Sequence, residues 1–144
     1  MKTIEKISLK KEKSDYLRVK ISSSRDSSDY IRQFYSDDLE IYESFFLLLL
    51  NRQNQTIGYA KISQGGVTGT VVDVKIIMKY IIDTLASGII LCHNHPSGNL
   101  TPSPQDISIT EKIKNAASFV DTKVLDHIIL TSDSYYSFCD EGTL

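Results

Sequence analysis

The segment 88–106 reads GIILCHNHPSGNLTPSPQD and carries two of the three histidines of the 144-residue chain. Its first five residues, 88–92, are a glycine followed by four apolar side chains, and this composition predicts a short buried strand. Side chains two residues apart leave the same face of a strand, so His93 and His95 should point in the same direction. Two imidazoles arranged in this way can bind one metal ion, with Zn–N bonds of about 2.0–2.1 Å.

A third metal ligand is predicted at the start of the helix that follows. Residues 96–103 are rich in turn-forming types, and helix-starting signals appear from Ser103 onward. A short loop returns the first turn of this helix to the strand end, which makes Asp106 the candidate. Two neutral imidazoles, one carboxylate and a fourth position left to water are typical of a catalytic zinc site.

The same residues also allow an interpretation without metal. Pro104 suits the first helical position, and Ser103 with Asp106 three residues later resembles a capping box that has Asp in place of Glu. That role alone would account for Ser103 and Asp106. A single histidine on a strand is also more often a satisfied core or rim residue than a ligand. Two histidines on one face, where a buried strand ends, favour metal binding over these alternatives.

The spacing of these residues resembles a known metalloprotease motif. His93-x-His95, seven residues, Ser103, two residues and Asp106 are similar to the H-x-H-x7-S-x-x-D pattern of the JAMM metalloproteases. Those proteins have the JAB/MPN fold. The resemblance implies an α/β class, specifically a JAB/MPN-like (cytidine-deaminase-like) mixed β-sheet flanked by helices in a single domain.

Within that group the chain resembles the RadC family. The letters HNHPSG at 93–98 carry this resemblance, together with LDHII at 125–129 and YSF at 136–138. The similarity covers roughly residues 40–144, most of the chain.

The resemblance implies zinc chemistry on an amide bond. A zinc ion held by His93, His95 and Asp106 would lower the pKa of its bound water to about 7. The resulting nucleophile can attack the carbonyl carbon of a peptide or of an isopeptide-like substrate. Such a reaction needs a general base for the water and a hydrogen-bond donor for the developing oxyanion.

The resemblance also assigns these two catalytic roles. The general base of the family is a glutamate on a strand before the two histidines, which corresponds to Glu43 here. Composition alone does not distinguish Glu43 from Glu40, and a rim carboxylate at a strand mouth is the ordinary alternative. Ser103 matches the family serine that hydrogen-bonds the oxyanion. His127 belongs to the RadC-like pattern, and we expect a structural role for it, with support of a metal ligand as the alternative.

Hydrophobic periodicity and turn residues predict the remaining elements. The segment 42–50 is apolar on both faces, which is typical of a strand inside a sheet. Three glycines within 65–69 predict a loop there, and Asp73 caps a helix that Gly88 closes. The predicted strands lie at about 42–50, 56–62, 89–92, 123–131 and 135–139, and the predicted helices at about 29–35, 74–85 and 104–119.

Length predicts one domain, and the extent of the family resemblance divides it into two parts. Apolar and polar residues alternate in 7–10 and 17–22, so we expect an edge hairpin within 3–22. This hairpin and a short helix make up residues 1–40, as part of the same globular unit. Residues 41–144 form the RadC-like JAB/MPN part.

Composition indicates a soluble protein of a reducing compartment. Cys92 and Cys139 are too few for a disulfide framework, and Cys92 should be a core residue facing away from the histidines. The first residues are charged and lack the apolar segment of a signal peptide. The apolar run 45–50 is far too short to span a bilayer. We therefore expect a cytoplasmic protein without a membrane partner.

Charge does not favour nucleic-acid binding, although it leaves DNA contacts possible. The net charge is −2, and the positive charge is concentrated in residues 1–25, which hold eight Lys or Arg against three Asp or Glu. Solvated lysines near a sheet edge explain this better than a nucleic-acid-binding arm. Oligomeric state is not indicated.

The motifs exclude several other classes of metalloenzyme. HNH nucleases spread their three residues over a ββα unit, zinc deaminases need H-x-E with P-C-x-x-C, and zincins need H-E-x-x-H. The predicted function is therefore zinc-dependent hydrolysis of a peptide or isopeptide-like amide. The alternative is a non-catalytic role, either associated with DNA repair or mobile elements or as a scaffold with a structural metal site.

Overall fold

The computed structural model describes residues 1–8, 10–66 and 71–144. From the first helix onward, the order of elements is the one predicted from the sequence. Within the described residues the elements are α1 (Ser24–Arg32), β1 (Glu43–Leu50), β2 (Thr56–Gly65), α2 (Val74–Thr84), β3 (Gly88–Asn94), α3 (Pro104–Ser118), β4 (Lys123–Leu130) and β5 (Tyr135–Ser137).

The strands form one mixed sheet in the order β2-β1-β3-β4-β5. Strand β1 runs antiparallel to both of its neighbours, whereas β3 and β4 are parallel and are joined through α3. Seven of the eight residues of β1 are buried. This burial confirms that its apolar run belongs to a strand inside the sheet.

Helices cover both faces of the sheet, so the fold has three layers. On one face Leu47 belongs to a buried cluster that includes Ile77 of α2 and Ile113 of α3. On the other face Leu48 belongs to a second cluster, which includes Ile31 of α1. This α/β arrangement, a mixed sheet between helices, is the JAB/MPN-like class that the motifs implied.

The helix before β3 ends earlier than the glycine that was expected to close it. Helix α2 ends at Thr84, and its C-cap is Leu85 in the left-handed region with φ 54°. Gly88 instead opens β3, where an added Cβ would lie 3.0 Å from Cδ1 of Leu125. The side chain of Leu125 therefore packs closely against this glycine, which does not cap a helix.

The hairpin predicted within 3–22 is absent from the described residues. Residues 1–8 and 10–22 contain no strand, and Lys20 only forms an isolated bridge with Gln55. Ile7 and Leu17 are 84% and 78% exposed, whereas Ile21 is 7% exposed and belongs to the cluster on the α1 face, so burial follows the alternating pattern only at the end of the segment. Alternation cannot by itself form a hairpin where the chain does not pair with a second strand. Leu9, which was part of the pattern, lies outside the described residues.

The first helix begins earlier than the predicted range of 29–35. Ser23 is its N-cap, and the Ser23 hydroxyl accepts a hydrogen bond from the N–H of Asp26. Asp26 also places a carboxylate in the first turn, where it is favourable. The serine-rich segment therefore forms the first turns of the helix and not a loop.

Only residues 65 and 66 of the loop predicted at 65–69 belong to the described part of the chain. Strand β2 extends through Gly65, three residues beyond its predicted end, and the residues 67–69 lie outside the described part. None of the helices within the described residues has the length and apolar character that a membrane span requires.

Replacing the buried isoleucine of α1 tests whether this helix covers the sheet. Ile31 is fully buried, and Ile31→Ala should lower the free energy of unfolding by roughly 2–5 kcal/mol because it opens a cavity. Ile82→Ala is the control, since Ile82 is 49% exposed, and it should change the free energy by less than about 1 kcal/mol. Urea unfolding measures both variants. Equal effects would contradict the packing of α1 on this face.

Candidate metal centre

The end of β3 and the start of α3 bring the predicted metal ligands together. His93 lies within β3, and the N–H of His95 donates a hydrogen bond of 2.9 Å to the carbonyl of Leu130 in β4. The chain then turns, and Gly98 has a φ of +84°, which favours glycine. The loop leads back to the first turn of α3, which presents Asp106.

Three side chains meet at hydrogen-bonding distances in this position. The Nε2 atoms of His93 and His95 are 3.0 Å apart. Oδ1 of Asp106 lies 3.3 Å from Nε2 of His93, and Oδ2 lies 3.2 Å from Nε2 of His95. Glu43, at the start of β1, places Oε1 3.9 Å from Nε2 of His95. These four of the five predicted site residues therefore face one small volume.

The structure shows that Asp106 caps the helix and faces the histidines at the same time. Its Oδ2 accepts a hydrogen bond of 2.8 Å from the N–H of Ser103, and the Ser103 hydroxyl accepts one of 3.1 Å from the N–H of Asp106. This is a complete capping box. A carboxylate has about four acceptor positions, so the cap does not prevent Asp106 from binding a cation. The bond that Ser103 accepts likewise leaves its hydroxyl proton available for another acceptor.

The pKa values of Asp106 and His95 are both shifted by the groups that surround them. Burial alone would raise the pKa of Asp106, but the adjacent imidazoles of His93 and His95 hold it well below its usual range. Burial alone would lower the pKa of His95, but the adjacent carboxylate of Asp106 raises it above its ordinary value. The two shifts are reciprocal, since a carboxylate stabilises a positive charge beside it and a positive charge stabilises the ionised carboxylate.

Nδ1 of His95 forms a hydrogen bond with the backbone. Nδ1 of His95 lies 2.6 Å from the carbonyl oxygen of Asn99. A carbonyl only accepts, so Nδ1 must carry the proton that forms this bond. In the neutral ring Nε2 then has a lone pair, which is directed at His93 and Asp106.

The third histidine of the chain contacts this cluster from the buried side. Nε2 of His127, in β4, lies 2.7 Å from Nδ1 of His93, and Nδ1 of His127 lies 2.6 Å from the hydroxyl of Thr110 in α3. Complete burial holds the pKa of His127 well below its ordinary value. The sequence identified His127 but predicted a structural role first, and it did not single out Thr110.

Asn94 supports Glu43 from the opposite face of β3, a role that the sequence did not indicate. Its Oδ1 accepts a hydrogen bond of 2.8 Å from the N–H of Ser44. Its Nδ2 donates to the carbonyls of Leu39 and Tyr42 at 2.6 and 2.7 Å. The residue between the two histidines therefore anchors the chain on both sides of Glu43.

Cys92 is a core residue, as predicted. It is buried in the cluster on the α1 face of the sheet, away from the histidines. Burial raises the pKa of its thiol to about 12. A thiol held neutral in this way is not a metal ligand.

A cavity of about 260 Å³ opens beside the cluster. Glu43, His93 and Asp106 line one side of it. The other walls are mostly apolar, and the described residues that form them are Phe45, Val71, Val72, Gln105 and Ile109. The cluster is therefore reached from a recess with apolar walls.

Two sets of three side chains could hold a metal ion here. Glu43, His93 and His95 each place one ligand atom within 4.8 Å of the others. Asp106 lies closer to both imidazoles than the 3.9 Å that separates Glu43 from His95. Tetrahedral zinc with bonds of about 2.05 Å separates neighbouring ligand atoms by about 3.3 Å. The separations among His93, His95 and Asp106, 3.0–3.3 Å, are close to this value, and Oε1 of Glu43 lies farther away, 3.9 Å from Nε2 of His95.

Fold and site together define a JAB/MPN-type domain with a possible metal centre. A sequence profile of the RadC-like JAB domain matches residues 21–143. The chain belongs to this RadC family. The match extends further toward the N-terminus than the motifs themselves and includes α1.

Curated relatives cover most of this chain. A UPF0758 protein of Flavobacterium johnsoniae is 46% identical over 128 residues, which are 89% of this chain and 56% of that protein. A UPF0758 protein of Porphyromonas gingivalis is 41% identical, over 88% of this chain and 56% of that protein. UPF0758 protein YfjY of Escherichia coli K12 is 39% identical, over 71% of this chain and 64% of that protein. The chain spans about half the length of the first two relatives.

Replacing Asn94 tests its support of the segment around Glu43. Asn94→Ala removes three hydrogen bonds of a fully buried side chain, one of them buried at both ends, so the free energy of unfolding should fall by roughly 2–5 kcal/mol. Asn94→Asp keeps the shape but turns an oxygen toward two carbonyls, and it should be equally damaging. Asn115→Ala, the same change at an exposed position of α3, should have little effect. Denaturant unfolding compares the variants, and a neutral Asn94→Asp would contradict the assigned bonds.

Proposed function

We propose that this chain is a zinc-dependent hydrolase of the JAMM type, which cleaves an amide bond in a peptide or isopeptide-like substrate. The observation that carries the proposal is the convergence of three acceptor groups, Nε2 of His93, Nε2 of His95 and the carboxylate of Asp106, within 3.0–3.3 Å of one another. Acceptors at this separation repel unless a positive charge lies between them.

The donor set fits zinc. Two imidazole nitrogens with one carboxylate are common zinc ligands, and three protein ligands leave the open position that a catalytic site needs. The hydrogen bond from His95 to Asn99 already orients one ring for this role. A bound zinc ion supplies Lewis acidity, which polarises a carbonyl and lowers the pKa of water to about 7.

Glu43 is positioned to act as the general base. Its carboxylate lies 3.9 Å from Nε2 of His95, which is beyond direct hydrogen bonding but within reach of a water molecule between the two. It also faces the cavity, where the substrate carbonyl would lie. Glu43 would accept a proton from the attacking water and pass it to the leaving amine. Its position depends on β1, which Asn94 holds at Ser44.

Ser103 is the proposed oxyanion donor. Its hydroxyl accepts the N–H of Asp106, and this leaves the hydroxyl proton for a negatively charged oxygen. The cap thus orients the hydroxyl without using its proton.

The cavity suggests the chemistry of the substrate. Phe45, Val72 and Ile109 give it apolar walls next to Glu43, so we propose that an apolar side chain of the substrate binds beside the scissile amide. A peptide library with varied residues at each position around the amide would show this preference.

Substitution of the two glutamates separates catalysis from metal binding. Glu43→Gln should retain zinc and lower the rate of peptide hydrolysis by about 10²–10⁴-fold, since the base is lost. Glu40→Gln is the matched control, because Glu40 is an exposed neighbour in sequence, and it should leave both unchanged. His95→Ala and Asp106→Ala should lose zinc and activity together. Elemental analysis and product detection by mass spectrometry provide the measurements.

Each part of the proposal can fail separately in this experiment. Loss of zinc from Glu43→Gln would make Glu43 a ligand and would overturn its role as base. A wild-type protein that holds zinc but cleaves no library member would favour the non-catalytic alternative. Absence of zinc from wild-type protein purified in its presence would remove the basis of the hydrolase assignment.

A further inference from the structure

We propose that Thr110 and His127 set the tautomer of His93, so that the lone pair of its Nε2 faces Asp106 and His95 before any cation binds. The inference rests on the proposed metal site. Neither Thr110 nor His127 is in contact with the cavity, and both are positioning residues that act through His93.

The direction of the hydrogen bonds is set by Thr110. Its hydroxyl lies 2.6 Å from the main-chain carbonyl oxygen of Asp106 and 2.6 Å from Nδ1 of His127. A hydroxyl has one proton, and a carbonyl oxygen can only accept. Thr110 therefore donates to Asp106 and must accept from His127. Nδ1 of His127 consequently carries a proton.

The second step passes through the ring of His127. This ring is fully buried, stacked on Phe138 at a centroid distance of 4.6 Å and in edge contact with Phe45 at 5.5 Å. Removal of the ring from water disfavours an imidazolium, so the ring has one proton, which the bond to Thr110 places on Nδ1. Its Nε2 then has a lone pair, 2.7 Å from Nδ1 of His93.

The third step determines the state of His93. Its Nδ1 must donate to the lone pair of His127, so the neutral ring of His93 has its own lone pair on Nε2. That atom is the one that lies 3.0 Å from His95 and 3.3 Å from Asp106. Both imidazoles of the site are thus oriented for a cation. His95 is oriented by a backbone carbonyl, and His93 by the relay of hydrogen bonds through His127 and Thr110.

The relay also ties the histidine to the helix that carries the carboxylate. Its last acceptor is the carbonyl of Asp106, and the side chain of the same residue faces His93. Displacement of α3 would therefore disturb the tautomer of His93 and the position of Asp106 together. Thr110, His127 and His93 couple the two sides of the site through a closed path of contacts.

A matched pair of variants tests the inference. Thr110→Val has nearly the same shape but no hydroxyl, whereas Thr110→Ser retains the hydroxyl. Zinc affinity, measured by competition with a chromophoric chelator, should fall by about 10–100-fold in Thr110→Val and should remain near the wild-type value in Thr110→Ser. Equal affinities of the two variants would overturn the proposal.

A spectroscopic measurement on the metal-free wild-type protein decides the question without any variant. ¹⁵N NMR of the labelled imidazoles distinguishes a protonated nitrogen from one with a lone pair. We expect His93 and His127 each to have the proton on Nδ1. A proton on Nε2 of His93 would overturn the inference even if the protein proves to be an active hydrolase. Conversely, failure to bind zinc would remove the proposed function, while the tautomer would still test the relay.

Discussion

Three acceptor groups of the same polarity meet where β3 ends and α3 begins. The Nε2 atoms of His93 and His95 and the carboxylate of Asp106 lie within 3.3 Å of one another. Such an arrangement is unfavourable by itself, and the surrounding fold must hold it in place. A cation that binds there relieves this repulsion, so its binding energy also stabilises the fold that presents the ligands. The depressed pKa of Asp106 and the raised pKa of His95 have a related origin, because an ionised carboxylate and a positive charge beside it stabilise each other.

The register of β3 determines what each side chain of the motif does. His93 and its neighbour in β1, Phe45, face the α2 and α3 side of the sheet, where their rings stack. Cys92 and Asn94 face the α1 side, and there Asn94 holds the backbone at Ser44. A shift of one residue would exchange the two sets. His93 and Asn94 meet their hydrogen-bond partners only in the observed pairing of β3 between β1 and β4, because each set of partners lies on one face of the sheet.

Asp106 shows that one carboxylate can cap a helix and at the same time face a candidate metal site. The capping box with Ser103 fixes the carboxylate at the first turn of α3, and the remaining acceptor positions are directed at the histidines. The capping bonds therefore orient a candidate ligand and complete the helix cap at the same time. Ser103 also has two roles, because its hydroxyl oxygen accepts the capping bond while its proton remains available to another acceptor.

The sequence by itself determined the parts of the molecule that depend on nearby residues. Spacing and turn chemistry predicted the histidine pair, the start of α3 and the cluster of His93, His95 and Asp106, because all of these lie within one strand, one loop and one helical turn. Glu43 could be selected only through the resemblance to a family, since nothing local distinguishes it from Glu40. Local pattern also misled, because the alternation within 3–22 predicts a hairpin, whereas Ile7 and Leu17 are exposed and the described part of that segment contains no strand.

Only the tertiary structure decided the contacts between distant segments. Asn94 braces residues at 39–44, and His127 bridges His93 to Thr110, although these partners are far apart along the chain. Hydrophobic periodicity reports which face of an element is buried, but it does not report which polar group that face will meet. That meeting depends on the order of strands in the sheet and on where α1 and α3 pack, which are properties of the whole fold.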